Sequence, residues 1–146
     1  MSKLDVIFIT PTNSKVIYQE LWKDYSAIEP PTWSLLLAQS CRSVGYKVSI
    51  LDAVAEHLNN DMILDKIKKN PPRLICMVLY GQNVNAGTTS MSGGVELSNF
   101  LKENDLEIPL VFIGSHVQAL PIETLINEKS VDIVLTNEGV YSLRNL

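Results

Sequence analysis

The chain has 146 residues, a length that fits one domain with a sizeable buried core. Hydrophobic residues make up 46% and charged residues 19%, a globular balance and not a disordered one. A net charge of −4 and a pI near 5.1 argue against nucleic acid as the main partner, since phosphate binding needs clustered Lys and Arg. No apolar run approaches the roughly 18 residues of a membrane span. The start, MSKLDVIFIT, is too weak for a signal peptide, so a cytoplasmic protein with no membrane partner is expected. Cys41 and Cys76 are read as buried small hydrophobes. Their separation makes no zinc-ligand spacing, and two thiolates cannot hold an iron–sulfur cluster.

Leu4 to Thr10 reads as a buried strand ended by Pro11, which offers no N–H to continue a ladder. A polar segment follows to Glu29, through Tyr18, Leu21, Trp22 and Tyr25; its length marks it as functional or partly helical. Pro30-Pro31 leads into a helix capped by Thr32, with Trp33, Leu36, Leu37, Cys41 and Val44 at helical spacing and Gly45 closing it. Lys47 to Leu51 is a second strand, ending at Asp52. Asn60 caps a short helix with Ile63, Leu64 and Ile67 inward, stopped by Pro71-Pro72. Arg73 to Leu79 is a third buried strand, and its exit from Tyr80 to Gly94 reads as a long loop of neutral polar and small residues. A third helix spans Val95 to Glu103, and the fourth strand begins at Leu110. Pro121 fits the first turn of a fourth helix with Ile122, Leu125 and Ile126 as its core side. Val131 to Leu135 is the fifth strand, and Tyr141 starts a further helix that stops at Leu146. That ending leads us to expect one domain, residues 1–146, belonging to a longer chain.

Strands alternating with helices imply a doubly wound, five-stranded parallel α/β sheet, flavodoxin-like in order 2-1-3-4-5, with helices on both faces. Ligands of such sheets sit at the carboxyl ends of the strands, here the exits at Gly114-Ser115-His116 and Thr136-Asn137-Glu138-Gly139 above all. A dinucleotide site needs glycines after the first strand, and Ile9 to Asn13 has none, so Asp52 is a turn residue and not a ribose ligand. A phospho-receiver needs a carboxylate and a Lys where Tyr80 and Thr136-Asn137 stand. A flavin site finds hydroxyls at Thr10, Thr12 and Ser14, but also a proline and no glycine. No nucleophile elbow, carboxylate pair or metal-ligand cluster appears, so the chain alone is not a complete enzyme and no catalytic or metal-ligating residue is assigned. His57 reads as a surface residue, and His116 stands open between loop packing and ligand contact.

Five segments in order carry a resemblance: Glu29-Pro30-Pro31, Val48 to Ala53, Phe112 to His116, Ala119-Leu120-Pro121, and Val131 to Val134 with Glu138-Gly139. Together they resemble the N-terminal cobalamin-binding domain of cobalamin-dependent radical SAM enzymes, over nearly the whole chain. Two departures stand out. The family commonly has two glycines and a proline before the histidine, where this chain has Gly114-Ser115-His116. Its common Gly-Glu-Gly-Glu ending is here Asn137-Glu138-Gly139-Val140. The Asp-x-His-x-x-Gly motif of methionine-synthase-like domains is absent after the first strand, which excludes histidine coordination of cobalt through it.

The resemblance implies a corrin ring lying over the strand ends. Its contacts would come from Thr10, Pro11, Tyr80, Gly81, Gln82, Asn83, Thr88, Thr89, Ser90, Gly114, Ser115, His116, Asn137, Glu138 and Gly139. Neutral polar groups can meet the corrin amides without desolvating a charge. The resemblance also implies a parent methyltransferase in which cobalt relays a methyl group from S-adenosylmethionine to a substrate. Its C-terminal radical SAM domain would hold a [4Fe–4S] cluster, and the three-cysteine motif for that cluster is not among these residues. The alternative reading is a flavodoxin-like binding or interaction domain that holds flavin or no cofactor.

Overall fold

The computed structural model describes residues 4–12, 28–81 and 84–146. The polar segment through Tyr18, Leu21, Trp22 and Tyr25, like Gln82 and Asn83, lies outside the described residues. Five strands form one parallel sheet: β1 (Leu4–Thr10), β2 (Val48–Asp52), β3 (Pro72–Leu79), β4 (Leu110–Gly114) and β5 (Ile133–Leu135). Their spatial order is β2-β1-β3-β4-β5, the expected flavodoxin-like arrangement. The described helices are α1 (Thr32–Ser43), α2 (Asn60–Lys69), α3 (Val84–Glu103), α4 (Ser115–Ala119), α5 (Pro121–Asn127) and α6 (Val140–Asn145). None of the described helices is long and apolar enough to cross a membrane.

The continuous apolar runs of the strands follow from burial on both faces. Successive side chains of a strand alternate between faces, so both residue sets must be apolar. Ile7 and Ile9 of β1, Ile75, Met77 and Leu79 of β3, and Leu110 and Phe112 of β4 pack with Ile63, Leu64 and Ile67 of α2 and Met91, Leu97 and Leu101 of α3. On the other face Val6, Phe8, Cys76, Val78, Val111 and Ile113 pack with Leu37, Ala38 and Cys41 of α1 and Leu143 of α6. Both cysteines are free and buried, as their surroundings in the sequence indicated. The helix after β1 therefore covers one face and the helix after β3 the other. The chain reverses direction between β1 and β3, and such switch points leave a crevice at the strand ends.

Two polar devices fix the far edge. The Asp132 N–H donates to the Leu110 carbonyl at 3.0 Å, while its Oδ2 accepts the Leu110 N–H at 2.8 Å and Lys102 Nζ at 2.9 Å. The carboxylate thus does the work of a ladder bond, and β5 begins only at Ile133, two residues later than the apolar run indicates. Ser98, on α3, donates to the Val95 carbonyl at 3.0 Å, so the buried 2.8 Å contact between Ser98 and Ser130 is a bond donated by Ser130.

Four expectations need correction. The segment Tyr80 to Gly94 is not a long loop, since α3 begins at Val84 and takes in Thr88, Thr89 and Ser90. Its glycines suggested a loop because glycine costs about 1 kcal/mol inside a helix. Here the helix needs one: a Cβ on Gly94 would lie 2.6 Å from Leu79 Cδ2, so glycine lets α3 sit close against β3. Second, α1 turns Ser34, Leu37, Ala38 and Cys41 inward, leaving Leu36 55% and Val44 45% exposed. Ser34 reads as polar, yet its hydroxyl has a partner inside at Thr10, which shifts the buried stripe toward it. Third, α5 exposes Ile122, Leu125 and Ile126 and buries Thr124, whose hydroxyl donates back to the Leu120 carbonyl at 2.7 Å. Fourth, two caps move. Asn59, not Asn60, caps α2 by accepting the Met62 N–H at 2.9 Å, and Pro31, not Thr32, stands at the head of α1 without a side-chain cap. Gly45, at φ +95°, closes α1 as expected, and α4 is one further turn beyond those read from the sequence.

These placements rank three substitutions. A Cβ on Gly114 would collide with the backbone carbonyl of Leu79, where nothing can give, although the extended φ of 163° suits any residue. Gly114→Ala is expected to cost about 1–3 kcal/mol by urea unfolding. Gly94→Ala should cost less, because the obstructing atom is the end of a side chain. Ile126→Ser, 59% exposed in the wild type, should stay within about 0.5 kcal/mol.

Candidate functional site at the carboxyl edge of the sheet

The segments leaving the strand ends form the candidate site. At β1, the Thr10 carbonyl accepts the Ala53 N–H at 3.0 Å, and the Thr10 hydroxyl meets the buried Ser34 hydroxyl at 3.0 Å. Pro11, also buried, stops the strand. The Asp52 carboxylate accepts the Val54 and Ala55 N–H groups at 3.2 and 3.1 Å. It is a turn residue, as the absence of glycines after β1 implied. His57 ends that turn, exposed and at φ +52°.

At β3, the Tyr80 ring stacks on Trp33 from the first turn of α1, with centroids 4.3 Å apart and planes inclined by 22°. Its hydroxyl donates to the Asn137 carbonyl at 3.1 Å. Burial raises the Tyr80 phenol above its ordinary pKa, with smaller contributions from the Glu138 carboxylate and Cys76. Asn137 and Gly139 both sit in left-handed backbone, at φ +55° and +66°, which curls the exit of β5 back toward Tyr80. A Cβ on Gly139 would collide with Ile113, so the loop is seated on β4.

At β4, Gly114 is covered by Leu79, and Ser115 opens α4. Gly87, in the first turn of α3, lies so close to Ser115 that a Cβ there would strike the hydroxyl. The starts of α3 and α4 are thereby brought together beside Tyr80. His116 is half-buried on α4, where its carbonyl accepts the Leu120 N–H at 3.1 Å.

The structure gathers Thr10, Pro11, Tyr80, Gly81, Gly114, Ser115 and Asn137 to Gly139 at the ends of four adjacent strands. Thr88, Thr89 and Ser90 are displaced from the loop expected of them. At about 1.5 Å rise per residue they lie roughly 6–9 Å into α3. Trp33 escaped the sequence reading, which placed it in the helix core. The strand order held the signal: Trp33 opens the helix after β1, Tyr80 follows β3, and those strands are neighbours.

Charge narrows the ligand. Residues 10–12, 28–34, 52–59, 80–81, 84–90, 114–120 and 136–141 contain no Lys or Arg but include Glu29, Asp52, Glu56 and Glu138. Among the described residues this edge offers no cation to an anionic ligand. Nor, among the described residues, do three or more His, Cys, Asp or Glu gather there or elsewhere in a metal-holding group. Burial raises both thiols, Cys76 far above the ordinary range, so neither supplies a thiolate near neutrality.

No protein-family model matches the chain, and no curated protein gives a significant match. Solved structures do share its fold, a doubly wound α/β domain. One is TsrM from Kitasatospora setae, a radical S-adenosylmethionine methyltransferase, with tryptophan substrate and the SAM analog aza-SAM bound. It matches 99% of this chain at a TM-score of 0.70 and 14% identity. Another structure of TsrM, with cobalamin and a [4Fe–4S] cluster bound, matches 99% of the chain at 0.71 and 15% identity. The chain spans about a quarter of the length of those proteins, 25% and 24%.

The half-buried phenol gives a direct check on the site's geometry. A raised pKa in the fold favours the neutral form, so its contribution to stability is full below the ordinary tyrosine value and is lost as pH rises through the folded value. Alkaline absorbance titration at the phenolate band is expected to show one late phase that Tyr80→Phe removes. An unchanged titration would place the ring elsewhere.

Proposed function

We propose that this chain is a corrinoid-binding module of a larger radical SAM enzyme, with cobalamin lying across the carboxyl edge of the sheet. One observation carries the reading: the fold of this chain is similar to that of a region of TsrM, and one of those structures holds cobalamin. The lack of Lys and Arg among the described residues of the edge supports it, because a macrocycle rimmed with neutral amides needs hydrogen-bonding groups and not charge.

Within this reading Thr10, Pro11, Tyr80, Gly81, Gln82, Asn83, Ser115, His116, Asn137, Glu138 and Gly139 would line the cofactor, with Gly114 beneath them. Thr88, Thr89 and Ser90 would serve from the second turn of α3. When bound, cobalamin would supply a cobalt centre that passes a methyl group from S-adenosylmethionine to a substrate. The chain's own task is positional. Tyr80 commits its hydroxyl to Asn137, so it offers a ring and not a free donor. Gly114 and Gly139 let the exits of β4 and β5 pack closely against Leu79 and Ile113. The radical chemistry belongs to a further C-terminal domain with S-adenosylmethionine and a [4Fe–4S] cluster. This chain's two cysteines are buried and too few for a cluster.

Titration with hydroxocobalamin, followed by visible absorbance and gel filtration, tests the proposal, with flavin mononucleotide run in parallel. Comigration of corrinoid at one per chain and no retention of flavin are expected. A yellow protein, or one retaining neither, would overturn the reading. The cobalt is further expected to take no imidazole from this chain. Nitrogen coupling in the Co(II) electron paramagnetic resonance spectrum that disappears in His116→Ala would contradict that.

A further inference from the structure

Trp33 is joined to the edge residues through its stack on Tyr80. The two rings come from opposite sides of the switch point, one on the helix after β1 and one on the exit of β3. Tyr80 is thereby held twice, on its face by the indole and at its tip by the Asn137 carbonyl. The residue after Trp33 is anchored too, since the buried Ser34 hydroxyl meets Thr10. Both rings are only half-buried, so part of the pair remains at the surface of the edge.

The direction of the hydrogen bond matters. β4 lies between β3 and β5, so a bond from the exit of β3 to the exit of β5 crosses above β4. Gly114 lies against the backbone of Leu79 and Gly139 against the side chain of Ile113, so the exits of β4 and β5 on which the bar rests are packed onto β3 and β4. Stacked rings at a strand-end edge whose described residues carry no Lys or Arg suit a planar, uncharged face.

Resting on the corrinoid reading above, we infer that Trp33 is a positioning residue. Its indole holds the Tyr80 ring as a platform for the macrocycle, not for the nucleotide tail. The test compares hydroxocobalamin with cobinamide, which has the macrocycle and no nucleotide tail, in the wild type, Trp33→Phe and Trp33→Leu. Trp33→Phe keeps an aromatic face and is expected to bind both within about twofold of the wild type. Trp33→Leu should weaken both by the same factor, roughly three- to tenfold, the scale of one aromatic pair. Wild-type affinity for both in Trp33→Leu, or a loss confined to cobalamin, would overturn the inference while leaving the corrinoid reading intact. Failure of the wild type to bind either corrinoid would remove that reading, and the inference with it. A second measurement avoids a Leu variant that does not fold. In Trp22→Phe protein labelled with 5-fluorotryptophan, Trp33 is the one remaining tryptophan. Its fluorine resonance is expected to shift with cobinamide as it does with cobalamin; a resonance unmoved by cobinamide would overturn the inference.

Discussion

Burial on both faces of β1, β3 and β4 is the constraint from which the rest follows. Phe8, Ile75, Cys76, Met77, Val111 and Phe112 are essentially without solvent contact. Strands so enclosed leave their side chains no chemistry to perform, because any polar group there would lack water and a partner. Function is pushed to the strand ends. Of the two ends, the amino end is spent on structure: Asp132 and Lys102 bind β5 to β4 and α3 there. The carboxyl end is left with threonine, serine, tyrosine, asparagine and glycine, together with His116 and Glu138.

What could be read from the sequence was what depends on that burial. The five apolar runs identified the five strands, and their alternation with helices identified a parallel sheet, because parallel strands need crossovers; the order 2-1-3-4-5 was taken from the flavodoxin-like arrangement and matches the observed one. The faces of surface helices were harder. In α1 two apolar registers overlap, and the one containing Ser34 won because a hydroxyl on β1 was waiting for it. In α5, three apolar residues at helical spacing face outward, a pattern identical in sequence to a buried face. The first half of α3 was hidden by its glycines, of which Gly94 answers to Leu79, 15 residues earlier in the chain, and Gly87 to Ser115.

The site was legible as a set of exits and illegible as an arrangement. Tyr80 stood out because it takes the place of a carboxylate at the end of β3, and Asn137 and Gly139 because they end β5. That Tyr80 bonds to Asn137 and lies against Trp33 depends on distances across β4 and across the switch point, and no local pattern encodes them. The same holds for the pairing of Gly87 with Ser115, where one missing side chain brings two helix starts together.

The tie from Tyr80 to Asn137 spans 57 positions of chain. Closing so long a loop carries an entropic cost that local contacts cannot offset until the intervening elements are in place. β4 must already lie against β3, and β5 against β4, before the phenol can find its acceptor. The edge surface is therefore a late product of folding, assembled after the sheet it rests on. A chain stalled at β1 to β3 would carry much of the core and no bar above β4, so the bar certifies that β3, β4 and β5 have come together.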